Sequence, residues 1–281
     1  MIGYLIKKRS LEMMKINAFV LFLTLLSLVA FTGTLCAQAP LPAYEGFNYA
    51  AGNLSGNAGW AATGGNTANP VQVVDTSLTY TNLPDSVGRK VLVLNGSSYE
   101  DPGFDITPTG SQLEASSVYC SLIVNVVNPG TAEVGYFFNV STAGTSSSDY
   151  HSKVFVKQGA GGASFFNMGL RHQANDTILF ETTERAVATP IFIVVSYDFV
   201  TGATNDTSRL WINPTLGATT PPTADLTATA IGTDLAAAGR INLRQPSDNS
   251  GMSLEVDEIR AGTTWASVTP AKSGVDDWTV F

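Results

Sequence analysis

The chain is poor in cysteine, histidine, positive charge and helical periodicity. Its two cysteines are Cys36 and Cys120, and its two histidines are His151 and His172. Cys36 falls in an N-terminal leader, so the exported chain keeps Cys120 alone and can form no internal disulfide. The neighbours of Cys120 in Val118-Tyr119-Cys120-Ser121-Leu122 are those of a buried strand, which predicts a packed, inert thiol. Both histidines are expected at strand edges, in solvent. No Gly-X-Y period is present, which excludes a collagen helix, and apolar runs recur throughout, which excludes a disordered chain. Apolar residues at helical spacing are scarce; the pattern admits one turn of helix, at Asp234 to Ala238.

Positive charge is concentrated where it will be lost. Lys7, Lys8, Arg9 and Lys15 precede an apolar run from Ala18 to Phe31, and small residues with the triplet Ala37-Gln38-Ala39 follow. That order is a secretory signal peptide, assigned to residues 1–39, with Met1 or Met14 as the start and Ala37 or Ala39 as the cleavage point. The run is shorter than the ~20 residues that span a bilayer, so no stable membrane insertion is expected after cleavage. The whole chain carries 15 Lys and Arg against 23 Asp and Glu, a net charge of −8. The leader removes four basic residues and Glu12, leaving 11 against 22 and a net charge of −11. Phosphate backbones and anionic membranes repel such a chain, which excludes nucleic acid as an expected partner.

What remains is a succession of short strand-like runs with turn residues between them. They are read at Tyr44–Tyr49, Val71–Val74, Lys90–Leu94, Ser117–Val127, Glu133–Val140, Lys153–Lys157, Ser164–Arg171, Ile178–Glu181, Ile191–Phe199, Arg209–Asn213, Arg240–Gln245 and Met252–Arg260. Twelve strands in one domain mean an all-β sandwich or barrel. Alternation puts Val118, Cys120, Leu122, Val124 and Val126 on one core face, and Val134, Tyr136, Phe138 and Val140 on another. Ile191 to Tyr197 is apolar on both faces and predicts a central strand. Residues 52–69, 99–112, 142–150, 159–162 and 214–229 read as loops, and none reads as an interdomain linker. One domain is therefore expected over residues 40–270, with a C-terminal tail at 271–281. No sorting or cell-wall motif follows, which the sequence reads as a released protein.

Three segments carry a family resemblance: Tyr44-Glu45-Gly46-Phe47-Asn48-Tyr49 with Gly56, Gly59 and Trp60; Phe192 to Phe199 running into Ser208-Arg209-Leu210-Trp211-Ile212-Asn213-Pro214; and Leu254 to Trp265. Together they resemble the laminin G-like, concanavalin A-like domains of bacterial secreted and cell-surface proteins, over Tyr44 to Val268. The resemblance implies a two-sheet antiparallel jelly-roll sandwich with its first and last strands side by side. It names no ligand, because that fold hosts lectins, glycanases, lyases and adhesion modules.

Glycanases of the superfamily place Glu-x-Asp-x-Glu on one strand, which sets two carboxylates about 5–5.5 Å apart for a retaining reaction. Glu255-x-Asp257 begins that pattern, but Ile259 or Arg260 stands where the acid/base belongs, and no catalytic residue is assigned. The jelly-roll resemblance also implies a calcium ion tying the first strand to the last, and Glu45 and Asp257 occupy the matching places. The spacing of Val256 and Ile259 predicts a β-bulge at Asp257-Glu258. For sugar, Trp211 shares a strand face with Arg209 and Asn213 while Leu210 and Ile212 face away, so its indole could stack on a pyranose ring. Trp60, Tyr99 and Tyr150 are the alternative platforms.

The residues point to a secreted or cell-surface, non-catalytic binding or adhesion module whose partner is a polysaccharide or cell-surface glycan. A structural matrix protein without a small ligand is the second reading, and a polysaccharide-active hydrolase or lyase the third.

Overall fold

The computed structural model describes residues 39–272 except 97, 108–115, 132–134, 146–148, 175, 230–231 and 248–250, so residues 1–38 of the expected leader, Val134 and most of the C-terminal tail lie outside the described residues. In chain order the strands are β1 (Ala39–Pro40), β2 (Ala43–Glu45), β3 (Gly52–Asn53), β4 (Trp60–Thr63), β5 (Gln72–Val74), β6 (Lys90–Leu94), β7 (Asp101–Thr107), β8 (Ser117–Asn128) and β9 (Phe138–Ser141). They continue with β10 (Tyr150–Gly159), β11 (Gly162–Arg171), β12 (Leu179–Phe180), β13 (Arg185–Ala186), β14 (Ile191–Asp198), β15 (Thr207–Ile212), β16 (Leu226–Thr229), β17 (Arg240–Leu243) and β18 (Ser253–Gly262). A single helical turn, α1 (Trp265–Val268), follows, with the Thr264 hydroxyl accepting from the Ser267 N–H at its start. Among the described residues no helix is long and apolar enough to cross a membrane.

Two sheets of nine strands make a sandwich. The first runs β1-β7-β17-β9-β10-β11-β12, with β4 beside β7 and β13 beside β11; the second runs β16-β15-β14-β8-β18-β6-β5-β3, with β2 beside β18. Every pairing is antiparallel except the short β1–β7 pair. The opening strand β2 does lie against the closing strand β18, with Glu45 opposite Ile259.

Alternation fills the space between the sheets. Cys120, Leu122, Val124 and Val126 of β8 meet Phe138 and Val140 of β9, Val154 and Val156 of β10, and Phe166, Met168 and Leu170 of β11 in one buried core. Burial pushes the Cys120 thiol up to about 12, so it stays protonated. Strand β14 is buried along its whole length, between β8 and β15, as its two apolar faces require.

The loop readings of 52–69, 99–112 and 214–229 hide the strands β4, β7 and β16. β7 carries Asp101, Pro102, Gly103 and Asp105, a turn-like composition. Gly103 is there for space: a Cβ would stand 2.3 Å from both Arg240 Nε and Asn242 Oδ1. The expected helical turn at Asp234 to Ala238 is absent, because the Asp234 carboxylate instead accepts from the Asn205 and Asp206 backbone N–H groups.

Candidate ligand-binding face

A sandwich has two outer faces, and here they differ in kind. The outer face of the second sheet is sealed by the chain itself. Ile123 of β8, Phe192 and Val194 of β14, and Trp211 of β15 form a second apolar cluster with Leu78, Leu83, Trp265 and Val268, supported by Tyr80, Tyr119, Leu216, Ala218 and Ala224. The cover therefore comes from residues 78–83, 216–224 and 265–268.

Strand parity places Trp211 opposite the core, as expected, yet the cover leaves it only 2% exposed. Its indole N–H donates to the Pro222 carbonyl at 2.8 Å and its ring packs on Tyr119 and Trp265. Arg209 pairs with Asp198 at 2.6 Å, and Asn213, at φ +54°, accepts from the Phe192 N–H. The three residues share a face without forming a sugar platform, because distant loops have taken the indole.

Glu45 and Asp257 do not share a site either. Glu45 lies opposite Ile259, which faces the inter-sheet core; Asp257 lies opposite Ile123, which faces the outer cluster. The bulge expected at Asp257-Glu258 is present, with a register shift there and Glu258 at φ +54°. Glu45 accepts from the Phe47 N–H at 2.6 Å, the Tyr49 hydroxyl at 2.6 Å and the Trp60 indole at 2.8 Å. Asp257 accepts from the Leu78 and Glu258 N–H groups at 2.7 and 2.8 Å. A calcium ion wants six to eight oxygens, whereas these four already serve protein donors on opposite sides of a sheet. The pair does not fit a shared calcium ion, and no group of three or more His, Cys, Asp or Glu among the described residues is placed to hold a metal. Trp60 is likewise a core residue, 2% exposed between Phe47 and Phe104. Tyr99 is half-buried, with its ring against Gly96.

The histidines are buried, against expectation. A bulge in β10 at His151–Val154, with Ser152 at φ +47°, turns both His151 and Ser152 inward. Ser152 Oγ donates to the Ser196 carbonyl at 3.0 Å and lies 2.7 Å from Ser208 Oγ, which lies 2.8 Å from His172 Nδ1. These bonds bridge the two sheets. Burial, and then the neighbouring His172, push His151 down to about 3, and burial lowers His172 as well, so both rings are neutral. A serine and histidine so placed, with no exposure, tie layers together and meet no substrate.

The outer face of the first sheet is built differently. Arg240 and Asn242 of β17, Asn139 and Ser141 of β9, and Gly103 and Asp105 of β7 alternate with core residues and therefore point outward. At one end Arg240 is wholly buried, bonded to Asp105 at 2.5 Å, Thr63, Asn242 and the Ala61 and Gly103 carbonyls. The loop after β9 crosses this end, with Gly64 N–H donating to Thr145 and Gly144 N–H to Asp105.

Beyond it lies a layer of rings with cations over them. Tyr136 has Arg244 at 4.4 Å and Lys153 at 4.9 Å from its ring centre, and Tyr150 beside it at 6.4 Å. Phe155 lies under Arg171 at 5.1 Å, and Phe180 under Lys157 at 4.1 Å. Gly169 is required under Phe180, since a Cβ there would stand 2.6 Å from the ring. The face ends in an open cleft of ≈ 550 Å³ lined by Lys157, Gln158, Asn167, Glu181 and Glu184. Of the four aromatic platforms read from the sequence, Trp211, Trp60, Tyr99 and Tyr150, the last is the one on this face. Tyr136, expected on the core face with Phe138 and Val140, lies on this outer face instead, because Phe137 takes the core position before β9 begins at Phe138; Lys153, Phe155, Arg171 and Arg244 were missed, although Lys153, Phe155 and Lys157 alternating with Val154 and Val156 carried the signal.

No family model and no curated protein matches the chain. Among solved structures it is similar to domain 4 of a GH43 extracellular arabinanase from Geobacillus stearothermophilus, in complex with arabinotriose, at 15% identity over 84% of this chain and 100% of that one, with a TM-score of 0.42. It is also similar to the CBM22-1 xylan-binding domain from Paenibacillus barcinonensis, at 12% identity over 84% and 99% of the two chains, with a TM-score of 0.34. The receptor-binding domain of botulinum neurotoxin type G matches 64% of this chain at 7% identity and a TM-score of 0.37, and this chain spans 40% of its length. At identities and TM-scores this low the likenesses set no family for the chain, and the concanavalin A-like and laminin G-like resemblance has no family match behind it.

Proposed function

We propose that the chain is a non-catalytic carbohydrate-binding module, exported by its leader, that lays a glycan across the outer face of the first sheet. The observation that carries this reading is the contrast between the two faces. One is covered by 78–83, 216–224 and α1 with apolar side chains. The other presents Tyr150, guanidinium planes, an ammonium group and the amides of Gln158 and Asn167 beside an open cleft. Planar polar groups next to rings are what sugar hydroxyls and pyranose faces require. Glycan-array binding tests it: Tyr150→Ala is expected to weaken the bound glycan about tenfold while melting is little changed. A protein that binds nothing on the array points to the structural matrix reading.

A further inference from the structure

Like charges stand face to face at the centre of this surface. Lys153 is directly opposite Arg171 in the β10–β11 ladder, where side chains meet and like charges are destabilising. Arg244 joins them over the Tyr136 ring that it shares with Lys153. Lys153 is 4% exposed, yet among the described residues no carboxylate lies within ion-pairing distance of its ammonium group. Arg171 donates no hydrogen bond among the described residues, and its Nε is buried without a partner. Three acids lie around the cluster: Asp149 Oδ1 is 2.9 Å from His151 Nε2, Asp176 accepts from the Gln173 N–H through one oxygen while its buried Oδ1 has no hydrogen-bond partner among the described residues, and Asp101 accepts from the Gln245 N–H through one oxygen and pairs with Arg244 at 3.6 Å through the other. Burial, and then Arg171 and Arg244, push the Lys153 ammonium down to about 8, so the cluster strains against its own charge.

Such a cluster is an exception in a chain with a net charge of −8. The Lys153 ammonium and the Arg171 guanidinium, which form no ion pair among the described residues, match a carboxylate or a sulfate in this partly desolvated site, with Arg171 able to bond it through two parallel N–H groups. We infer that Lys153, Arg171 and Arg244 form an anion subsite, and that the glycan this face takes is acidic, carrying uronate carboxylates or sulfate esters. This inference rests on the binding reading proposed above.

Titration calorimetry with oligogalacturonate and with dextran sulfate, against xylan and uncharged dextran, tests it. Either acidic glycan, or both, is expected to bind, with added salt weakening it. The carboxylate and sulfate arms tell the two ligand groups apart. Arg171→Gln and Lys153→Gln are each expected to raise Kd about tenfold or more. Lys153→Gln should leave melting unchanged or raise it, because it removes a like-charge contact. Arg209→Gln, on the other sheet, should leave binding as it was. Binding of xylan or dextran that Tyr150→Ala weakens and Arg171→Gln does not, with no binding of the acidic glycans, overturns the anion subsite and leaves the module reading standing. Acidic binding unchanged by both Arg171→Gln and Lys153→Gln also overturns it, and no binding of any of the four overturns both readings.

Discussion

Trp211 packs edge to face against Trp265, with ring centres 5.0 Å apart and planes at 64°. One indole comes from β15 of the second sheet and the other from the first residue of α1, so the contact fastens the helical turn over the sheet. Tyr119 touches both rings and closes the triad.

Trp211→Ala is therefore expected to cost about 3–5 kcal/mol of stability, as deletion of a buried large aromatic does. Binding of glycan to the remaining folded protein should be unchanged. Chemical denaturation checks the first part and calorimetry the second; loss of binding with unchanged stability would place the ligand on the wrong face for this account.

Asp257 fastens the same cover from its other end. It accepts the Leu78 N–H, and Leu78 belongs to the apolar seal. Asp257→Ala leaves two buried N–H donors, those of Leu78 and Glu258, without their acceptor, at about 1–3 kcal/mol each. The expected result is a lowered melting temperature that is the same with and without a calcium chelator. A chelator response that Asp257→Ala abolishes would show a metal role for this carboxylate.

Much of the sandwich was legible in the sequence, because strand identity depends on local alternation. Val154 and Val156 against Lys153, Phe155 and Lys157 fix which side of β10 is inward without any knowledge of the partner strands. The candidate site was far less legible. Whether an outward face stays open depends on segments remote in the chain: parity fixed the direction of Trp211, but Leu78, Leu216 and Trp265, which cover it, are not its sequence neighbours. The histidines were misplaced for a related reason, since the single extra residue at the Ser152 bulge reverses parity and carries His151 from the edge to the interior. β7 escaped notice because Pro102 and Gly103 suit a turn, whereas Pro102 lies opposite Ala62 of β4 and Gly103 leaves the room that Arg240 and Asn242 fill.

The buried histidines give the protein an acid limb. His151 falls from an ordinary value of 6.5 to about 3, so between these pH values the unfolded chain binds the proton and the folded chain does not. Stability from this group rises with pH from about 3 to about 6.5, with a slope of at most about 1.4 kcal/mol per pH unit. His172 acts in the same direction. Asp101 and Asp257 oppose them: burial raises these to about 6 and about 7, so the folded chain holds their protons and their contribution falls as pH rises from near 4. Denaturation of wild type and His151→Gln at pH 4 and pH 7 isolates the histidine. The variant is expected to lose part of the gain in stability between the two pH values, and an identical gain in both proteins would show that His151 is not a buried neutral group.

The placement of the ligand is tested most directly by hydrogen–deuterium exchange, with and without the glycan that binds most tightly on an array. Protection confined to 136–141, 150–171 and 240–245, with 78–83, 216–224 and 265–268 exchanging as before, is the predicted result. Protection of 78–83, 216–224 and 265–268, with 150–171 unchanged, would contradict the account.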